Sequence, residues 1–278
     1  MKRAIFISDL HAGSAYGLLP PNFAKYDGTL QPPNAGQQYL WECWKDFCER
    51  AHRFKPDFIV HNGDAVEGPQ RKSNGYELCL VPSKDQCDAA VDVLSLLKRK
   101  CPKAKWFFTA GTPYHVGEWN EIEEAIAVRM GAEQYPSVGF GKYCREVLWA
   151  NVEGVQIEVT HHPAGSSTGF YRMTTLDRDG QWSALAAKDA TKGIPKSEVL
   201  FRSHHHFFGV VEHASKLIVQ LPCWKLQDRH SRKGGLHRFH PDIGGVLVEF
   251  NGSTKEASDR CVIRKELYDL PKVEIVTL

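Results

Sequence analysis

Apolar and polar residues follow two rhythms along this chain. Residues 3–8 (RAIFIS) form a compact apolar run ending in polar residues, which predicts a buried strand. Across 37–54 the apolar positions Leu40, Trp44, Phe47, Ala51 and Phe54 recur at helical spacing. Asp57–Val60, after Pro56, predicts a second short strand. Residues 84–100 place Ala90, Val93, Leu94 and Leu97 on one helical face and end in a basic turn that suits the helix dipole. Lys105–Ala110 predicts a third strand, and 117–130 a helix with acidic residues in its first turns. Beyond Tyr143 the rhythm changes. Glu146–Ala150, Val155–Thr160, Val199–Arg202, Val210–His213, Leu217–Leu221, Gly245–Phe250 and Cys261–Lys265 all read as strands, interrupted by one helix near Gln181–Lys192. Strand–helix alternation followed by mostly strands predicts one α/β domain over residues 1–278, built around packed sheets. Two polar loops stand out, about 13–36 and 68–83. The first is long for a connection inside a compact domain, and long loops are usually functional or disordered. Its Tyr16, Phe23 and Tyr26 either make it a lid over a site, where an aromatic can stack on a base, or pack it onto the core.

Composition changes this picture little. The chain has 278 residues and a formal net charge of +2, so no global field draws it to nucleic acid or to a membrane. No apolar run approaches the roughly 20 residues of a membrane span. The start, MKRAIFISDLH, is too short in apolar residues for a signal peptide and reads as the first strand, so a cytoplasmic protein without a membrane partner is expected. The eight cysteines include no CxxC pair, and reduced, mostly buried thiols are expected.

The candidate chemistry sits where predicted strands end. Ser8-Asp9-Leu10-His11 follows the first strand, Asn62-Gly63-Asp64 the second and Gly111…His115 the third. Thr160-His161-His162-Pro163 and Ser203-His204-His205-His206 close two later strands. Each alone has an ordinary reading. Asn-Gly is a turn signal, and a His tract on a surface binds metal incidentally. Together, in this order, they describe side chains rising from several strand ends into one crevice, which is how α/β active sites are built. Carboxylates and imidazoles without paired Cys suit Mn, Fe or Zn in a catalytic role better than a structural zinc.

This pattern resembles the calcineurin-like metallophosphoesterases, whose motifs run D-x-H, G-D, G-N-H, H and G-H-x-H. The counterparts are Asp9-Leu10-His11, Gly63-Asp64, Gly111…His115, His161 and His204-His205-His206, spanning residues 9 to 206. The resemblance implies a two-sheet mixed β-sandwich flanked by helices, in four α/β/β/α layers. It implies two divalent metal ions, Mn foremost with Fe or Zn as alternatives. Asp9, His11 and His206 would bind the first, His161 and His204 the second, and Asp64 would bridge both. His161 is preferred to His162 because the family's ligand commonly sits two residues before a Pro. A hydroxide shared by the cations would attack phosphorus, and His115 would protonate the leaving oxygen.

Two motifs depart from the family. Ser203 stands where Gly is usual, and Gly-Thr-Pro-Tyr-His replaces Gly-Asn-His. Three readings follow from the second. Thr112 replaces the Asn ligand while Pro113 and Tyr114 bulge out; or the second cation is weakly held until substrate arrives; or the site only binds. Glu118 is a further carboxylate nearby. The expected substrate is a phosphate ester, with a phosphodiester, including nucleic acid or a nucleotide, ahead of a monoester. The tilt comes from 225–240 (KLQDRHSRKGGLHRFH), with five Lys or Arg against one Asp, which reads as a flexible basic loop. Lys225, Arg229 and Arg232 there, and Arg71 and Lys72 near Asp64, are candidate phosphate contacts. A non-catalytic binding protein or scaffold on the same fold is the competing reading, with a protein or small-molecule phosphatase a third. The sequence leaves the oligomeric state open.

Overall fold

The computed structural model describes residues 1–117, 121–135, 142–163, 171–189, 191, 193–229, 240–253 and 260–271. Strand β1 (Lys2–Ile7) leads into an insertion that carries the short pair β2 (Phe23–Ala24) and β3 (Leu30–Gln31). Then come α1 (Ala35–Phe54), β4 (Phe58–Asn62), α2 (Ser83–Lys100), β5 (Lys105–Thr109), one turn of α3 (Pro113–Val116) and α4 (Glu121–Arg129). The second half runs β6 (Cys144–Arg145), β7 (Val147–Val152), β8 (Val155–Thr160), α5 (Arg172–Ala186), β9 (Val199–Arg202), β10 (Gly209–His213), β11 (Lys216–Gln220), β12 (Ile243–Phe250) and β13 (Cys261–Tyr268).

Two mixed sheets result, ordered β13-β12-β1-β4-β5-β6 and β10-β11-β9-β8-β7. In the first, β1, β4, β5 and β6 run parallel and β12 pairs antiparallel with β1. In the second, β8, β9 and β11 run parallel, with antiparallel edges β7 and β10. Strand β1 shows why the sheets stack. Ala4 and Phe6 face the second sheet among Val60, Val248, Ile157, Phe201 and Val219, while Ile5 and Ile7 face the helices among Trp44, Phe47 and Val93. A strand apolar on both faces must be covered on both. On the far side, Leu176 of α5 packs on Leu200 and Ile218. The fold is thus the helix-flanked two-sheet sandwich expected, in four α/β/β/α layers.

Local signals place the helices. Asn34 caps α1 and accepts from Gln37, whose side chain returns the bond to the Asn34 amide, and a left-handed Lys55 ends the helix ahead of Pro56. The helix expected near 181–192 instead spans Arg172–Ala186, and it buries only Thr175, Leu176, Asp179 and Gly180. So thin an apolar stripe gives a weak helical period. The helix expected over 117–130 is described from Glu121. The insertion packs onto the core through Leu18, Leu19 and Phe23, while Tyr26 is exposed. All eight cysteines are free thiols. Among the described residues no helix is long and apolar enough to cross a membrane.

Candidate metal centre

The C-terminal ends of β1, β4, β5, β8 and β9 converge, and each delivers side chains to one crevice. The backbone there is unusual. Asp9, His11, Asp64, His204 and His206 all have positive φ, between 48° and 71°. Non-glycine residues seldom adopt this conformation, and such strain collects at functional sites. Two glycines allow the close approach. A Cβ on Gly63, itself at φ 83°, would meet His161 Nδ1 at 2.5 Å. A Cβ on Gly111 would meet Asp64 Oδ1 at 2.2 Å.

Two donor groups result, Asp9–His11–His206 and Asp64–His161–His204, and within each the ligand-type atoms lie within 4.8 Å of one another. In the first, Asp9 Oδ1 is 3.2 Å from His206 Nε2 and 3.7 Å from His11 Nε2, and the two ring nitrogens are 3.1 Å apart. In the second, His161 Nε2 is 2.9 Å from Asp64 Oδ2. The same nitrogen is 3.8 Å from Asp9 Oδ1 and so links the groups. His161 Nδ1 donates to the Asn62 carbonyl at 2.7 Å, which leaves Nε2 as the nitrogen that faces the aspartates. His161 is fully buried and His162 exposed.

The electrostatics are those of a site short of positive charge. Burial alone would raise the Asp9 and Asp64 carboxyls. The imidazoles facing them, His161 above all, more than offset this and hold both well below the carboxylate range. Burial would likewise lower His161 and His11. The carboxylates Asp64 and Asp9 carry His161 up to about 10, and Glu67 and Asp9 carry His11 up to about 9 against Lys225. Burial, then His161, pushes His204 down to about 3. Asp9 Oδ1 is buried without a hydrogen-bond partner. An orphaned carboxylate oxygen ringed by three imidazole nitrogens fits a divalent cation of the kind O/N sites hold.

The third strand end resolves as geometry. Thr112 stands at the cap position of α3 but makes no side-chain cap. Its amide donates to Asp64 Oδ1 at 2.6 Å and its hydroxyl to Asp64 Oδ2 at 3.0 Å, with His204 Nδ1 3.3 Å away. Pro113 and Tyr114 wind into the single turn of α3 rather than bulging. That turn sets His115 Nε2 4.0 Å from Asp64 Oδ2 and its ring edge-on to His11. His115 Nδ1 donates to the Glu67 carbonyl, and burial lowers its pKa. Glu118 lies outside the described residues.

The expected phosphate contacts fare differently. Arg71 is exposed in a 3₁₀ turn, Arg71–Ser73, that also contains Lys72. Arg229 is exposed beside the Tyr76 ring. Arg232 lies outside the described residues. Lys225 is not the exposed cation that its basic segment suggested. It is buried, 3.0 Å from Glu67 and 2.9 Å from Asp228, so its charge is already matched within the fold.

Three residues at the centre were not singled out from the sequence. Glu67 faces His11 Nδ1 at 2.9 Å. Glu123, buried on α4, accepts the amides of Ala65 and Gly111 at 3.0 and 2.6 Å and so clamps the loops of Asp64 and Thr112 together. Asn62, which opened the Asn62-Gly63-Asp64 segment but had no role of its own there, donates to Ser203 Oγ at 2.6 Å and to the Thr160 carbonyl at 3.1 Å, and accepts from Thr109. The one available signal was for Asn62, because a polar residue closing an apolar strand needs partners.

No protein-family model matches the chain. No curated protein matches it. Among solved structures it is similar to Vps29 from Chaetomium thermophilum, at 11% identity over 98% of this chain and 98% of that one, with a TM-score of 0.44. It is also similar to an archaeal phosphodiesterase, at 9% identity over 96% of this chain and 99% of that one, with a TM-score of 0.43. A wild-type Vps29 from Entamoeba histolytica, complexed with zinc, matches at 11% identity over 96% and 99% of the two chains, with a TM-score of 0.43. Likeness at this level assigns no activity.

Proposed function

We propose that the chain is a metal-dependent phosphoesterase of the calcineurin-like type, acting through two divalent cations, with manganese the first choice. The observation that carries this reading is the pair of donor groups, Asp9–His11–His206 and Asp64–His161–His204, joined through His161 at the ends of strands from both sheets. When bound, divalent cations supply the charge that neutralises phosphoryl oxygens and acidifies water. The chain's own residues do the rest. Asp64, 2.9 Å from His161 Nε2 and 4.0 Å from His115 Nε2, is the carboxylate that the family resemblance would have both cations share. Thr112 offers a hydroxyl at the second group where the family has a carboxamide oxygen, and its amide holds the Asp64 carboxylate in place. His115, with its Nδ1 proton committed to the Glu67 carbonyl, faces the centre through Nε2; it would first take up a proton there, as from a water that becomes hydroxide, and then hand it to the leaving oxygen.

Arg71 and Arg229 remain exposed cations for substrate phosphate, and a phosphodiester stays ahead of a monoester. With Lys225 turned inward, that preference rests on fewer charges. The competing reading, a non-catalytic binding protein on the same fold, is favoured by one observation. Thr112 supplies a hydroxyl already shared with Asp64 where the family has a free amide oxygen.

The deciding experiment strips the protein of metal, reloads it with manganese and compares bis(p-nitrophenyl) phosphate with p-nitrophenyl phosphate. Turnover that Asp64→Asn abolishes supports the enzyme, and the faster ester names the subclass. His115→Ala should lower turnover by roughly 10²- to 10⁴-fold with metal content unchanged. No turnover of either ester across manganese, iron and zinc would favour the binding protein.

A further inference from the structure

We infer that Glu67, neutralised by Lys225, is a positioning residue for the first cation group, turning the His11 ring so that Nε2 faces Asp9 and His206. This rests on the metal-centre reading above. Glu67 is 3% exposed, and its Oε2 lies 2.9 Å from His11 Nδ1. The two atoms meet at ion-pair distance, off the hydrogen-bond axis. A neutral imidazole carries one N–H, and an ionised carboxylate only accepts. When a cation displaces the second proton of His11, the N–H that remains therefore belongs on Nδ1, facing Glu67, and Nε2 is the nitrogen left to bind beside Asp9 and His206. A carboxylate behind a ligating imidazole is a recurrent way of fixing both tautomer and ring orientation.

A buried carboxylate is costly unless it is paired. Lys225 Nζ stands 3.0 Å from the same Oε2, and Gln70 Nε2 donates to Oε1 at 2.8 Å. Lys225 is held in register by its neighbours. The Trp224 amide donates to the Asp9 carbonyl at 3.0 Å and the Leu226 amide to the Tyr16 carbonyl at 2.9 Å. The loop that carries Asp9 and His11 is thereby tied to the segment that neutralises Glu67.

Lys225 also settles what Glu67 is for. His11, Glu67 and His115 form a third group with metal-type donors. A cation there would lie beside an ammonium already in contact with Glu67, so like charges oppose it. The group supports His11 and holds no third cation.

Calorimetric titration of the metal-stripped protein with Zn²⁺ tests this, with turnover not required. Wild type should show two binding events. Glu67→Gln keeps the shape and removes the charge, and should weaken one event by roughly 10- to 100-fold while the other stays in place. His206→Ala should weaken that same event, which assigns it to the Asp9–His11–His206 group. Glu67→Asp, a milder change should the Gln variant fold poorly, withdraws the carboxylate by one methylene and should shift the same event less. Two unchanged events in both variants overturn the inference. So does equal weakening of both events, the mark of a general structural loss. If wild type binds a single cation, that event must weaken in Glu67→Gln for the inference to stand. A wild type that binds none sinks the metal centre itself.

Discussion

At the level of single residues, protons stand where cations are proposed to go. His161 and His11, carried up to about 10 and 9, are protonated at pH 7 in the metal-free protein, while Asp9 and Asp64 stay ionised. A cation needs the Nε2 lone pair of each imidazole, so binding must expel those protons. The sign follows. Because the metal-free protein holds protons that the loaded protein lacks, raising the pH from 7 toward 9 strengthens binding, and the gain levels off above the two pKa values. Titration with Zn²⁺ at pH 7 in two buffers of different ionisation enthalpy should report proton release, about two protons at full loading, one from each imidazole. An affinity that is flat between pH 7 and 9, with no proton release, would show that the cation binds elsewhere.

At the level of elements, strand ends had to be turned and then tied together. Asn62 does much of the tying, because its side chain joins the end of β4 to Thr109 of β5, Thr160 of β8 and Ser203 after β9. This gives Ser203 a reason to be where the related motif has Gly. Asn62→Ala leaves several buried polar groups unpaired and should cost about 2–4 kcal/mol, by the penalty for such groups. Urea unfolding would read it, and a loss below 1 kcal/mol would mean that water replaces the amide. The example also shows what the sequence can and cannot carry. The gathering of Asp9, His11, Asp64, His161, His204 and His206 was legible because each closes an apolar run, so strand period and chemistry coincide. Glu67 and Glu123 were not legible, since a lone Glu in a loop or on a helix has no period that separates a buried clamp from a solvated charge. Lys225 misled for the same reason. Charge runs usually lie in water, and nothing local shows that this one faces a buried carboxylate 158 residues away.

At the level of the whole molecule, neither donor group belongs to one sheet. Asp9 and His11 follow β1 and Asp64 follows β4 in the first sheet, whereas His161, His204 and His206 follow β8 and β9 in the second. The centre therefore exists only when the sheets are packed, and the packing is anchored below it by Phe6 of β1 stacked on Phe201 of β9 with ring centroids 3.8 Å apart. Two independent terms would hold the sandwich at this end, the buried rings and the proposed cations. Phe6→Ala should cost about 3–5 kcal/mol, as large-to-small core changes do. Each cation that binds the native state alone should add about 2.7 kcal/mol at a free concentration 100 times its Kd. The two sites are separated along the strands, so their effects should be near additive. Thermal melts of the stripped protein with and without excess Zn²⁺ should then show Phe6→Ala lowering both midpoints while keeping most of the metal increment. Asp64→Asn should keep the metal-free midpoint closer to wild type and lose much of the increment. If Phe6→Ala instead erased the increment, the centre would be organised by the core beneath it rather than by its own loops. If zinc left the wild-type midpoint unmoved, the cations could not be what joins the two sheets.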